Sequence, residues 1–280
     1  MGTSTSSVGP KSNVPFDPPW LDEAPPEKNV ERDAEKDNTD PAAVTSQDAN
    51  LPSAVAPPAR FGSARRLLGK FAKGDRSYES FSKAIGHYSA TGMGGASRIA
   101  NRMVSSTSSG ANLAQFLNDV KSRTDAVVDK WVDDILGQKL SSHEIIDAII
   151  RHVSPESGTK DDESCKNSMA QAMSEFLDQH EDADLLSLQQ DDVRLITELF
   201  IANEAYSRIM NDIGLIFESS TMSPKESMEI CNQMHEYLVN DISVEMEKLW
   251  LTNVNPSKDA IDSILKTAIA NTFAVYENGI

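Results

Sequence analysis

Residues 190–217, QDDVRLITELFIANEAYSRIMNDIGLIF, decide the fold class. Val193, Ile196 and Phe200, then Tyr206, Ile209, Met210 and Ile213, recur at helical spacing, so one broad face of a long helix is apolar. A face that wide must be covered, and the flanking sequence offers only helices to cover it. Downstream, Ser223-Pro224-Lys225-Glu226 combines a capping box with proline at the first helical position, a strong start signal. That helix is expected to turn Met228, Cys231, Leu238, Ile242, Met246 and Leu249 inward, and Asn255-Pro256 opens a last one that buries Ile261, Ile264, Leu265, Ala268 and Tyr276. Upstream, the pattern predicts one helix over 111–136 stopped at Gly137 by a left-handed cap. A second should run from the Ser141–Glu144 capping box to Val153, where Ser154-Pro155 ends it, and a third over 163–180. No segment alternates as a strand would. The reading is mainly α, an irregular helical bundle.

Ahead of this body the character changes twice, which divides the chain into residues 1–59, 60–105 and 106–280. Residues 1–59 hold ten prolines and few apolar side chains, the composition of a long disordered Pro/Ser/acidic tail. Its exception is Val14-Pro15-Phe16-Asp17-Pro18-Pro19-Trp20-Leu21. Phe16, Pro18, Pro19 and Trp20 there form an apolar patch suited either to a groove on a partner or to strapping across the chain's own body. Residues 60–105 are glycine-punctuated, with short helices expected over 63–73, 78–89 and 96–105.

Charge follows the same division. Residues 1–58 carry 4 basic and 10 acidic side chains, residues 59–105 carry 9 and 2, and residues 106–280 carry 13 and 31, within a net charge of −17. A chain this acidic cannot coat nucleic acid with its whole surface, because phosphate binding needs clustered Lys and Arg. Only the junction could do so. Arg60, Arg65, Arg66, Lys70, Arg98 and Arg102 are therefore the candidates for an anion or partner contact, with Phe61 and Phe71 beside them for stacking. Electrostatic packing of the basic junction on the acidic body explains the same residues and is the preferred reading.

The chemistry of catalysis is not visible. His143-Glu144 opens like a metalloprotease helix, but Asp147 stands where the second histidine belongs, and the five histidines show no metal spacing. Gly62 to Gly69-Lys70-Phe71 has the wrong glycine spacing for a phosphate loop and lacks its Ser or Thr. The carboxylates of the body are expected on solvated helix faces. Cys165 and Cys231 read as half-buried or buried thiols in a reducing compartment. No signal peptide or membrane-spanning run is apparent, so a cytoplasmic location is expected. No active site, metal or cofactor is expected.

The extreme N-terminus remains. Met1-Gly2-Thr3-Ser4-Thr5-Ser6-Ser7 fits the myristoylation pattern, though an ordinary polar start fits it too. Together with Val14-Pro15, Pro18-Pro19-Trp20, Arg60-Phe61, Ala84-Ile85-Gly86-His87-Tyr88 and Thr91-Gly92-Met93-Gly94-Gly95-Ala96, it resembles the QatB family of bacterial Qat anti-phage systems. These motifs lie in the N-terminal third; the remainder agrees only in being helical and acidic. The resemblance implies a non-enzymatic subunit that works beside a QueC-like enzyme, an ATPase and a TatD-like nuclease. QueC-type chemistry activates a deazaguanine carboxylate with ATP and transfers it to an amine. With that partner implied, Gly2 becomes a candidate modification acceptor after removal of Met1, since glycine adds no side chain to clash in a deep site. The alternative function is a nucleic-acid-binding module that uses residues 60–103 to present DNA or RNA to a nuclease.

Overall fold

The computed structural model describes residues 14–16, 55–74, 76–154, 158–218, 222–253 and 256–280. Two-residue strands β1 (Val14–Pro15) and β2 (Val55–Ala56) form a small antiparallel ladder. Helices follow: α1 (Gly62–Lys73), α2 (Tyr78–His87), α3 (Ala96–Arg102), α4 (Val104–Ser122), α5 (Ala126–Gln138), α6 (Ser142–Val153), α7 (Lys160–Gln179), α8 (Gln190–Ile213), α9 (Pro224–Leu251) and α10 (Lys258–Asn278). A π turn over Tyr88–Met93 extends α2, and a 3-10 turn over Gly214–Glu218 extends α8. The mainly α reading holds. Of the expected tail, only Val14–Phe16 and the residues from Val55 onward are described; Gly2, Pro18, Pro19 and Trp20 lie outside the described residues.

Two helices organise the packing. The quoted helix α8 is covered by α4, α7 and α9, while α10 is covered by α2, α3, α4 and α9. Phe200, Ile209 and Ile213 of α8 and Leu265, Phe273 and Tyr276 of α10 are almost wholly removed from solvent. Each such side chain contributes about 2 kcal/mol of transfer free energy. Residues of the basic junction, Leu68, Phe71, Phe81, Ile85 and Ile99, belong to the same continuous core. A carboxylate clamps one end: Asp241 of α9 accepts from Tyr276 at 2.5 Å and Tyr78 at 3.1 Å.

Three expectations need correction. The single helix over 111–136 is two helices, α4 and α5, broken where Arg123 takes a left-handed φ of 54° and Asp125 caps α5 by accepting from the backbone of Val127 and Val128 at 2.8 and 3.0 Å. Replacing Asp125 with alanine should therefore cost about 1 kcal/mol, measurable as a fall of roughly 2–4 °C in melting temperature. Second, α5 runs past Gly137, and Lys139 takes the left-handed position (φ 52°). Third, α9 buries Ile230, Met234, Leu238, Ile242, Met246 and Trp250, whereas Met228 is 59% exposed and Leu249 only partly covered. These steps of four form one i±4 ridge, which winds around the helix so that α8 and α10 can both pack on it.

Candidate functional site

The residues that resist explanation as plain core lie where the tail meets the body. β2 leads into a turn in which Ala59 takes φ 52° and the Gly62 amide donates to its carbonyl at 2.7 Å. That turn delivers Arg60 and Phe61 to the π turn. Phe61 is buried and stacked on Tyr88, ring centroids 5.8 Å apart. The ring passes so close over Gly92 that a Cβ there would sit 2.7 Å from it. Gly94 (φ 82°) and Gly95 (φ 112°) then reverse the chain into α3, a conformation that side chains resist.

Into the hollow above Gly94 comes Phe16. Its carbonyl accepts hydrogen bonds from Arg60 (3.4 Å) and Arg102, and the guanidinium groups of Arg60 and Arg98 lie 5.7 and 5.2 Å from its ring centroid. A Cβ on Gly94 would meet the Phe16 ring at 3.0 Å, so glycine is what leaves room for it. The β1–β2 ladder, Val14 opposite Ala56 and Pro15 opposite Val55, aligns this strap. Two cation–π contacts and two charge-assisted hydrogen bonds hold Phe16 in this seat.

The platform beneath is tied to the acidic body. Tyr88, fully buried, donates to Asp212 of α8 at 2.8 Å, and burial together with that carboxylate raises its hydroxyl pKa well above the usual range. Arg65 reaches the Asp212 carbonyl (3.4 Å) and Arg208 the Arg102 carbonyl (3.1 Å). The six candidate cations thus separate. Arg60, Arg98 and Arg102 gather at the strap and Arg65 turns to the body, whereas Arg66 and Lys70 face solvent with Lys73 along one face of α1. Those three line an open depression of about 520 Å³ with Arg65, Gly69 and Gly74, and none of Arg66, Lys70 and Lys73 makes an ion pair among the described residues. Phe61 and Phe71, expected beside them for stacking, are instead in the core.

Sequence reasoning missed a second polar centre. Glu204 of α8, 6% exposed, accepts from the hydroxyls of Ser106 (2.6 Å), Ser168 (2.7 Å) and Ser164 (2.9 Å). Burial and this carboxylate push the Cys165 thiol up to about 12. A polar cavity of about 190 Å³ adjoins it, lined by Ser106, Ser164, Lys160, Arg208 and Asp212 among others. The signal was available: Glu204 follows Phe200 and Thr197 by four and seven residues, on the buried stripe. Cys231 and His235 also lie one turn apart on α9, but His235 Nε2 is paired with Asn203 at 2.5 Å and the thiol meets the Tyr206 hydroxyl. Among the described residues, no group of three or more His, Cys, Asp or Glu could hold a metal ion, and no helix is long and apolar enough to cross a membrane.

The helices beneath the strap carry a recognisable pattern: a family model for the Qat anti-phage system associated protein QatB matches residues 94–276. The chain belongs to the QatB family. No curated protein and no solved structure matches it. The match spans α3 to α10, whereas the motifs that suggested the family lie mostly before it and overlap it only from Gly94. What the model recognises is the helical body itself. Membership makes the chain a component of a Qat anti-phage system, with its partners inside that system.

Proposed function

We propose that this QatB-family chain is a non-enzymatic, cytoplasmic adaptor whose helical body docks a QueC-like enzyme and whose N-terminal glycine is the amine acceptor of a deazaguanine-type modification. The observation that carries the reading is the strap. A Qat component spends three arginines and a glycine turn on holding Val14–Phe16, twelve residues from Gly2, against its body. An N-terminus that served nothing would not need anchoring. In the reaction, the neutral α-amine, whose pKa of about 8 leaves part of it unprotonated, attacks the ATP-activated carbonyl carbon of the deazaguanine carboxylate. An amide bond forms, the nucleotide-derived leaving group departs and the amine loses a proton. Pro18, Pro19 and Trp20 would dock the tail on the enzyme, and the system's ATPase and TatD-like nuclease act with the complex. Two free thiols, Cys165 and Cys231, fit a reducing compartment. The test is co-purification: the tagged full chain should retain the QueC-like enzyme, and a chain lacking residues 2–21 should retain it less well. A QueC-like enzyme that binds neither chain contradicts the adaptor reading.

A second reading rests on Arg66, Lys70 and Lys73, the outward face of α1. Three cations with no aromatic exposed among them suit a nucleic-acid backbone and not stacked bases. Under this reading, DNA or RNA binding falls with salt at a slope of about −3 in log–log terms, and the triple change to Glu abolishes it. Gel-shift titration of the whole protein at several salt concentrations checks this, and an unchanged affinity in the triple variant excludes the α1 face.

A further inference from the structure

Glu204 buries a charge for which the fold supplies no counter-charge. It is 6% exposed, and the groups that donate to its carboxylate, the hydroxyls of Ser106, Ser164 and Ser168 and the Cys165 thiol, are all neutral. Among the described residues it forms no ion pair. Arg208, one turn along α8, spends its guanidinium on the Arg102 carbonyl at 3.1 Å. Buried charges are ordinarily paired, and hydroxyls satisfy the lone pairs of a carboxylate while leaving its charge uncompensated. The wall beside it is equally one-sided. Ser106 and Ser164 commit their protons to Glu204, so their oxygens offer only lone pairs to the cavity they line.

The polar cavity of about 190 Å³ at Glu204 adjoins a groove of about 440 Å³ between α7 and α8, and Lys160, Ser164 and Asn211 line both. Four carboxylates face the two spaces, those of Asp161, Glu163, Glu204 and Asp212, against the two cations Lys160 and Arg208. We propose that the two spaces together bind a small organic cation, an amine or guanidinium compound, whose N–H groups donate to the Ser106 and Ser164 oxygens and whose charge completes the ion pair with Glu204. A metal ion fits less well, since no group of three or more His, Cys, Asp or Glu among the described residues could hold one. The excess of two negative charges and the length of the combined space suit a molecule with a second positive group at its far end.

The probe is agmatine, an alkyl chain with a guanidinium at one end and an ammonium at the other. Isothermal titration calorimetry of the full chain is run at physiological salt, where attraction between exposed charges is screened beyond about 8 Å. One saturable site is expected. Tetramethylammonium carries the charge without an N–H and should not bind. Glu204→Gln keeps the side-chain volume and should weaken agmatine roughly tenfold or more. Asn211→Tyr leaves Glu204 intact and fills the space where the cavity and the groove meet. Because Asn211 is exposed, this variant should lose agmatine binding while its melting temperature stays the same. The site is overturned if agmatine shows no saturable binding, if either variant binds it as wild type does, or if tetramethylammonium binds equally well.

Discussion

Gly86→Ala is expected to cost about 3 kcal/mol and to lower the melting temperature by roughly 6–12 °C. A Cβ at this position would sit 2.3 Å from the carbonyl oxygen of Tyr276 and 2.7 Å from Ile280 Cγ2. The first obstacle is backbone, so no rotamer relieves it, and α2 must move off α10. That contact seats Phe81 against Tyr276 and Tyr88 against Phe273, with ring centroids 5.8 and 6.3 Å apart. Parting the two helices therefore opens the aromatic core directly beneath the strap platform. The matched control is Gly69→Ala on α1, where the nearest atom is Ile216 Cδ1 at 4.0 Å. There the better helix former should raise stability by about 0.5–1 kcal/mol. Thermal denaturation of the two variants side by side checks the pair; equal melting temperatures would contradict the close crossing.

The second large effect belongs to Glu204. Truncation to alanine should cost about 3 kcal/mol, because the buried hydroxyls of Ser106 and Ser168 and the half-buried one of Ser164 lose their acceptor and a cavity opens between α4, α7 and α8. Glu204→Gln keeps the volume and one acceptor oxygen, and the serines can rotate to accept from the new amide, so its loss should stay near 1 kcal/mol. Urea titration of both variants separates the cases. If Gln is as damaging as Ala, the charge itself is required. If neither moves the midpoint, the serine cage holds nothing together.

Legibility in the sequence followed local signals. The starts of α6 and α9 could be read because Ser141–Glu144 and Ser223–Glu226 are reciprocal caps, and α10 because its apolar stripe is long and regular. The break at Arg123 could not: a left-handed arginine carries no glycine signature, and only Asp125 three residues before Val128 hinted at a new cap. The π turn at Tyr88–Met93 escaped because a shift of hydrogen-bond register leaves the periodicity of apolar residues nearly intact. Glu204 lay on a stripe otherwise assigned to core, and the default of outward carboxylates hid it. The strap was legible only in part. The aromatic patch announced that Phe16 would bind something, but its seat is assembled from Arg60, Gly94, Arg98 and Arg102, held in place by contacts that no local pattern records.

We propose that the body serves to present an N-terminal amine. Fragment-ion mass spectrometry of the N-terminal peptide tests it most directly, on protein purified from cells with the whole Qat system and from cells whose QueC-like enzyme is inactivated. The expected peptide begins at Gly2 and carries a deazaguanine-derived mass on its α-nitrogen only when that enzyme is active. An unmodified Gly2 in both samples, or the same adduct in both, would contradict it.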